Sequence, residues 1–289
     1  IFWSETEQQY VIYARCIVGG DGKIEKNWEK IAKEIMDIPD EGGVPRFRST
    51  ARATSPDFIN WSEFTPMEYS DTDSITPSAQ LYTNQTSPYF RANHIYISLP
   101  GRIFFKKIKK SYASKGGKYK YYTGGYEDTS DAAFMTTRAG STRYDFTFRE
   151  SLLRPGIGDE NWTTRNNYPA CGVIQTGETE MSIFVQRHYA QTSGYLERMT
   201  LRLDGFASLN AGYEEGQMIT KPLDFTGNKL ELNYSTSAAG SIKVEILDVS
   251  GTPIYGYGIN DCDGLIGDEI SGYVSWRGST DLSKISGRP

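Results

Sequence analysis

Between Arg165 and Tyr189 the chain gathers side chains suited to handling a polar ligand: Arg165, Asn166, Asn167, Glu178, Glu180, Arg187, His188 and Tyr189. They flank Met181-Ser-Ile-Phe-Val185, whose alternation predicts a short strand, with Thr176-Gly177 as the turn before it. Polar groups crowded at both ends of one strand are how a sheet scaffold presents a site. Seven arginines (Arg15, Arg48, Arg52, Arg91, Arg138, Arg165 and Arg187) lie in or beside predicted strands rather than in charged runs. A guanidinium fork matches a carboxylate or sulfate through two parallel hydrogen bonds, so their convergence would select an anionic ligand. Alternation turns about half of a strand's side chains outward, which leaves about three of the seven to face a common ligand. His94 and His188 stand near tyrosines at strand ends, where an imidazole can hydrogen-bond sugar hydroxyls.

Composition narrows the class. A chain of 289 residues is long enough for one large domain or two ordinary ones. A net charge of −5 with 23% charged residues fits a folded protein and disfavours a general nucleic-acid binder. Aromatic residues make up 13%, including 20 Tyr and 5 Trp, which suits strands and offers ring faces for pyranose C–H groups. No stretch approaches the roughly 18 apolar residues of a membrane span. Cys16, Cys171 and Cys262 allow one disulfide at most. With His94 and His188 as the only histidines, a zinc or histidine-rich centre is not expected. The loop Asn260–Glu269 offers Asp261, Asp263 and Asp268 to a structural Ca²⁺, without the spacing of a helix–loop–helix site. No glycine-rich phosphate loop follows a strand, so no nucleotide cofactor is expected.

The elements that must position these residues read as all-β. Gln8–Val18 predicts a strand, with Phe2-Trp3 closing another before it. Asn27–Ile38 is the one predicted helix, capped by Asn27, with Trp28, Ile31 and Ile35 on one face and Pro39 as its stop. Strands carrying Thr, Ser or Arg follow at 47–54 and 131–138, each leading into a turn and an aromatic landing, as at Tyr144–Phe148, and 196–209 repeats the whole arrangement of strand, turn and landing. A plain apolar strand precedes each, at Tyr10–Ala14, His94–Leu99 and Met181–Val185. About four strands per repeat is the pattern of propeller blades. The seven lysines within 106–122 predict a solvated loop or a steering patch for an acidic polymer. From about residue 213 two alternating strands, 221–234 and 240–251, predict a separate β-sandwich. The expected division is thus 1–212 as propeller blades and 213–289 as sandwich. Three visible repeats fall short of the roughly four blades that close a propeller, so the chain is expected to be a piece of a longer protein.

Ala53-Thr-Ser-Pro-Asp-Phe-Ile-Asn-Trp61, Leu81-Tyr-Thr-Asn84, Arg165-Asn-Asn-Tyr-Pro169, Thr176-Gly-Glu-Thr-Glu-Met-Ser182, His188-Tyr189 and Leu201-Arg-Leu-Asp-Gly-Phe206 resemble the bacterial glycosyl hydrolase-like proteins. These are common in planctomycetes and Bacteroidetes and are distant relatives of the invertase and arabinanase families. The resemblance runs through most of the chain. It implies a five-bladed propeller with a sandwich behind it, a carbohydrate partner, and an extracellular or periplasmic place in polysaccharide use. Better-known relatives line a central funnel with three acidic residues. Glycoside hydrolysis needs one carboxyl group to donate a proton while another stabilises or attacks the anomeric carbon. On this resemblance Glu180 is the expected acid, Asp131 its partner, and Glu178 a neighbour that a strand places on the same face as Glu180. Arg52, Arg91, His94, Arg138, Arg165, Asn166, Arg187 and His188 are the expected substrate contacts. The first-blade Asp motif of those relatives is not found. A glycoside hydrolase and a non-catalytic glycan-binding or scaffold protein are therefore both open.

Overall fold

The computed structural model describes residues 1–19, 46–105, 128–163, 165–189 and 191–287. The helix expected at 27–38 and the lysine-rich stretch 106–122 lie outside the described residues. The protein is all-β, and its chain divides into two compact units, Ile1–Thr176 with Met181–Thr200, and Gly177–Glu180 with Leu201–Pro289.

The first unit begins with an antiparallel sheet in chain order: β1 (Phe2–Ser4), β2 (Gln9–Gly19), β3 (Arg46–Ser55) and β4 (Thr65–Pro66). β2 and β3 stay in register from Tyr10 opposite Ser55 to Gly19 opposite Arg46. A short parallel pair joins β5 (Glu68–Tyr69) to β12 (Arg143–Tyr144). Two three-stranded antiparallel sheets lie between them in sequence. One orders β10 (Asp128–Ala132), β9 (Gly101–Phe105) and β6 (Gln80–Leu81). The other orders β11 (Met135–Arg138), β8 (Ala92–Ser98) and β7 (Ser87–Tyr89). The stretch predicted as one strand at 131–138 is thus divided between β10 and β11, which pair with different neighbours. The last sheet centres on β15 (Glu180–Arg187), paired with β13 (Tyr168–Pro169), β14 (Ile174–Gln175) and β16 (Tyr195–Arg202). None of the described sheets closes on itself.

Met67, Tyr69, Leu81, Ala133, Met135, Tyr144 and Phe146 form a buried cluster in this unit. Tyr69 and Tyr144 stack with ring centroids 5.7 Å apart. Their hydroxyls reach Ser49 Oγ at 3.1 Å and Thr86 Oγ1 at 2.6 Å, which removes the cost of burying a phenol oxygen without a partner. Of the aromatic landing expected at 144–148, only Tyr144 is laddered, while Asp145 makes a single bridge to Thr136. Phe146 is buried all the same, so the alternation marked a buried face rather than a ladder.

In the second unit β17 (Glu231–Ser235) pairs antiparallel with β18 (Asp268–Tyr273), with a shift of register between Leu232 and Tyr234. Gly272 is required there, because a Cβ would lie 2.4 Å from the Tyr234 ring. Cys262, Leu265, Val274, Trp276, Leu282 and Ile285 form the core. The stretch 240–251, predicted as a strand, makes isolated bridges at Ile242–Leu265 and Leu247–Pro253 instead of a ladder. Ile242, Val244 and Ile246 still turn toward the core, which is the alternation the sequence displayed.

Candidate functional site

The sheet β10–β9–β6 builds a site by cross-strand pairing. Asp131 stands opposite Arg102 and Thr129 opposite Phe104, so the period of two places all four side chains on one face. Arg102 donates from Nε and Nη2 to the two oxygens of Asp131, each at 2.7 Å, and from Nη1 to the Arg149 carbonyl at 2.6 Å. Its guanidinium carbon lies 5.3 Å from the Phe104 ring centre. Two parallel hydrogen bonds between ionised groups make a strong, directional pair.

Over this face runs the segment 149–163. Ala132 and Leu153 exchange backbone hydrogen bonds at 3.1 Å, fixing its start. Gly156 and Gly158 have φ of 89° and 101°, a region that side chains rarely adopt, and they turn the chain into a single 3₁₀ turn at Asp159–Asn161. Trp162 Nε1 closes the loop on the Gly156 carbonyl at 2.9 Å. Between strand and segment lies a cleft of about 540 Å³, floored by Thr129, Ser130 and Asp131 and walled by Phe104, Ser151, Arg154, Pro155, Gly156 and Trp162. Ligand pockets typically measure about 300–1,000 Å³.

Several expected contact residues hold this cleft together from behind. The buried Arg187 donates to the carbonyls of Arg154 at 3.3 Å and Pro155 at 3.4 Å, to Asn167 Oδ1, and through Nε to Glu197 at 2.6 Å. Asn166 donates to the Glu160 carbonyl at 2.9 Å, and its own carbonyl accepts from Ser130 Oγ at 2.5 Å. Asn167, with φ of 63°, donates to the carbonyls of Ser130 at 2.9 Å and Asn161 at 3.1 Å. Arg187 and Asn166 are thus positioning residues, because their polar groups meet the protein's own backbone.

The remaining candidates lie elsewhere. Arg52 forms a buried ion pair with Glu7. Arg91, His94 and Arg138 are exposed at one end of the β11–β8–β7 sheet, where the Ala139 N–H donates to the His94 carbonyl at 2.9 Å. Arg165 is half-buried with φ of 55°. His188 ends β15 with φ of 52°, its Nδ1 lying 2.9 Å from Ser193 Oγ and its ring edge-to-face with Tyr195. Glu178 and Glu180 belong to the second compact unit, where the Gly177 N–H donates to the Glu180 carbonyl at 3.2 Å. Asp131 belongs to the first. Burial, and then the nearby Asp128 carboxylate, push the Tyr168 phenol far above its ordinary pKa. Tyr168 itself packs on Gly101, where a Cβ would lie 2.6 Å from the ring.

The three loop aspartates do not gather into a metal site. Asp261 pairs with Arg277, Asp263 accepts from Ser275 at 2.6 Å and from the Gly278 N–H at 2.8 Å, and Asp268 pairs with Arg202. Among the described residues no group of three His, Cys, Asp or Glu side chains could hold an ion. No helix among them is long and apolar enough to cross a membrane.

Sequence reasoning missed Arg102, Phe104, Thr129, Arg154 and Trp162. Its one available signal was the breaker run Pro155-Gly-Ile-Gly158 followed by Trp162, which marks a shaped loop with an aromatic at its end. The class defined by the fold is an all-β protein of several open sheets. No family model, curated protein or solved structure matches the chain.

Proposed function

We propose that the protein binds a glycan in the Asp131–Trp162 cleft and does not cleave it. In this reading the open sheets of the first unit belong to a β-propeller of the glycosyl hydrolase-like group and the second unit is a β-sandwich appended to it. The protein then serves in extracytoplasmic polysaccharide use. One observation carries the proposal: the cleft sets the Trp162 and Phe104 rings beside the polar side chains of Thr129 and Asp131. A pyranose needs that mixture, because it has apolar C–H faces and a rim of hydroxyls. Binding is favoured over hydrolysis because both Asp131 oxygens already accept from Arg102, and the cleft wall holds no second carboxylate among the described residues. Hydrolysis needs two carboxyl groups separated by about 5–9.5 Å.

Calorimetric titration with neutral and acidic oligosaccharides tests this, alongside reducing-end release from the same panel. Binding without release is expected. Trp162→Ala should weaken it about five- to tenfold, the loss of roughly 1 kcal/mol or a little more of ring contact. Reducing ends that accumulate with wild type and vanish with Asp131→Asn would replace the binding role by a hydrolytic one.

A further inference from the structure

We infer that this cleft selects a sugar bearing a carboxylate or a sulfate ester, with Arg154 as the group that recognises it. The inference rests on the glycan-binding reading and adds the ligand's charge. Arg102 and Asp131 cancel each other in their paired hydrogen bonds at 2.7 Å. Among the described residues, Arg154 is then the one wall residue whose charge is not matched within the cleft. Its side chain is exposed, and its guanidinium has no hydrogen bond or ion pair among the described residues. Asp159 and Glu160 lie on the same segment but not on the cleft wall. An unmatched positive charge on the wall of a cleft focuses its field on an incoming anion.

The main chain that carries Arg154 is also held in place. Arg187 fixes the carbonyls of residues 154 and 155 at 3.3 and 3.4 Å, and the Leu153–Ala132 bridge ties the preceding residue to the cleft floor. Pro155 fixes its own φ directly after it. Less backbone freedom is therefore lost when an anion docks.

A second, independent feature points into the same space. Thr129 is 4% exposed and lines the cleft, and its Oγ1 has no hydrogen-bond partner. A buried hydroxyl without a partner is unfavourable, so a ligand hydroxyl that reaches it gains more than the same contact made in water. A ligand with one anionic group, neighbouring hydroxyls and an apolar ring face meets Arg154, Thr129 and Trp162 together. Uronic acids and sulfated sugars have that constitution.

The test is calorimetric titration of the full chain with three probes of similar length: an oligogalacturonate, a sulfated galactan oligosaccharide and a neutral xylo-oligosaccharide. Wild type should bind one of the acidic probes more tightly than the neutral one, and which acidic probe wins identifies carboxylate or sulfate as the preferred group. Arg154→Gln should weaken that probe about three- to tenfold and leave the neutral one unchanged, with Arg154→Lys between. The acidic advantage should shrink as salt is raised. Thr129→Val should weaken all bound probes without lowering the melting temperature. Equal affinity for acidic and neutral probes, or a uniform loss in Arg154→Gln, would overturn the charge selection and leave glycan binding standing. Failure of wild type to bind any probe would remove the glycan reading, and this inference with it.

Discussion

Two buried arginine–carboxylate pairs in the first unit share their chemistry and differ in what surrounds them. Arg52 and Glu7 have side chains 10% and 8% exposed, and the carboxylate is enclosed on every side. Tyr96 donates to its Oε1 at 2.7 Å, Gln9 to its Oε2 at 3.2 Å, and Ser4 bridges at 2.5 Å to the Tyr96 hydroxyl. Arg102 and Asp131 are 8% and 14% exposed, a similar degree of burial, yet Asp131 lies on the floor of a cleft. Burial of a charged pair is therefore not what marks a binding site. The first pair closes a polar network that joins β3 and the β1–β2 turn to Tyr96 of β8. The second presents a neutralised surface to whatever enters, and leaves Arg154 to set the charge.

The largest effect should come from breaking the enclosed pair. Arg52→Met strands Glu7 among tyrosines, where removing one partner of a buried pair costs about 3–5 kcal/mol. Urea unfolding should show a midpoint well below that of wild type, with an unchanged slope. Asp131→Asn keeps the shape and leaves Arg102 beside an opening that water can enter, so about 1–3 kcal/mol is expected. Equal losses for the two variants would mean that the cleft does not relieve its charge, and the comparison would fail.

The two pairs also show what was legible in the sequence. The strand around Arg52 and the one leading to Arg187 are readable as 47–54 and 181–185, and β3 and β15 contain them, with β15 running on to Arg187 itself. Partnership was not readable. Arg52 meets a glutamate 45 positions away, and Arg102 meets an aspartate 29 positions away through a register that local pattern does not encode. Asp131 stands out in the sequence as an acid at a strand, but its bidentate partner Arg102 carries no signal of its own. Arg187 was noticed as a cation near a polar strand, and its role depends on carbonyls of residues 154 and 155 that only the fold brings close. The second unit repeats the lesson, since 240–251 has the alternation of a strand and buries its apolar face without laddering.

The smallest expected effect is on the acid limb of stability. Burial opposes the Glu7 carboxylate, but the hydrogen bond from Tyr96, the Gly140 N–H and the Arg52 guanidinium outweigh it and hold the pKa below the usual value. A carboxylate held down in this way stays ionised in the folded protein at a pH where the unfolded chain, near about 4.3, has begun to bind a proton. Its contribution is therefore complete above that value and is lost as the pH falls through the folded pKa. Unfolding free energies measured from pH 6 to pH 3 should fall more steeply for wild type than for Glu7→Gln, with the two lines parallel above pH 6. Some slope must survive in the variant, because hydrogen bonds from the Asn60 N–H and side chain and from the Ile59 N–H hold the exposed Asp57 carboxylate low as well. Equal slopes would place the whole acid response in such exposed turns. The enclosed pair would then stabilise the sheet to the same extent at every pH in the range, whatever its protonation.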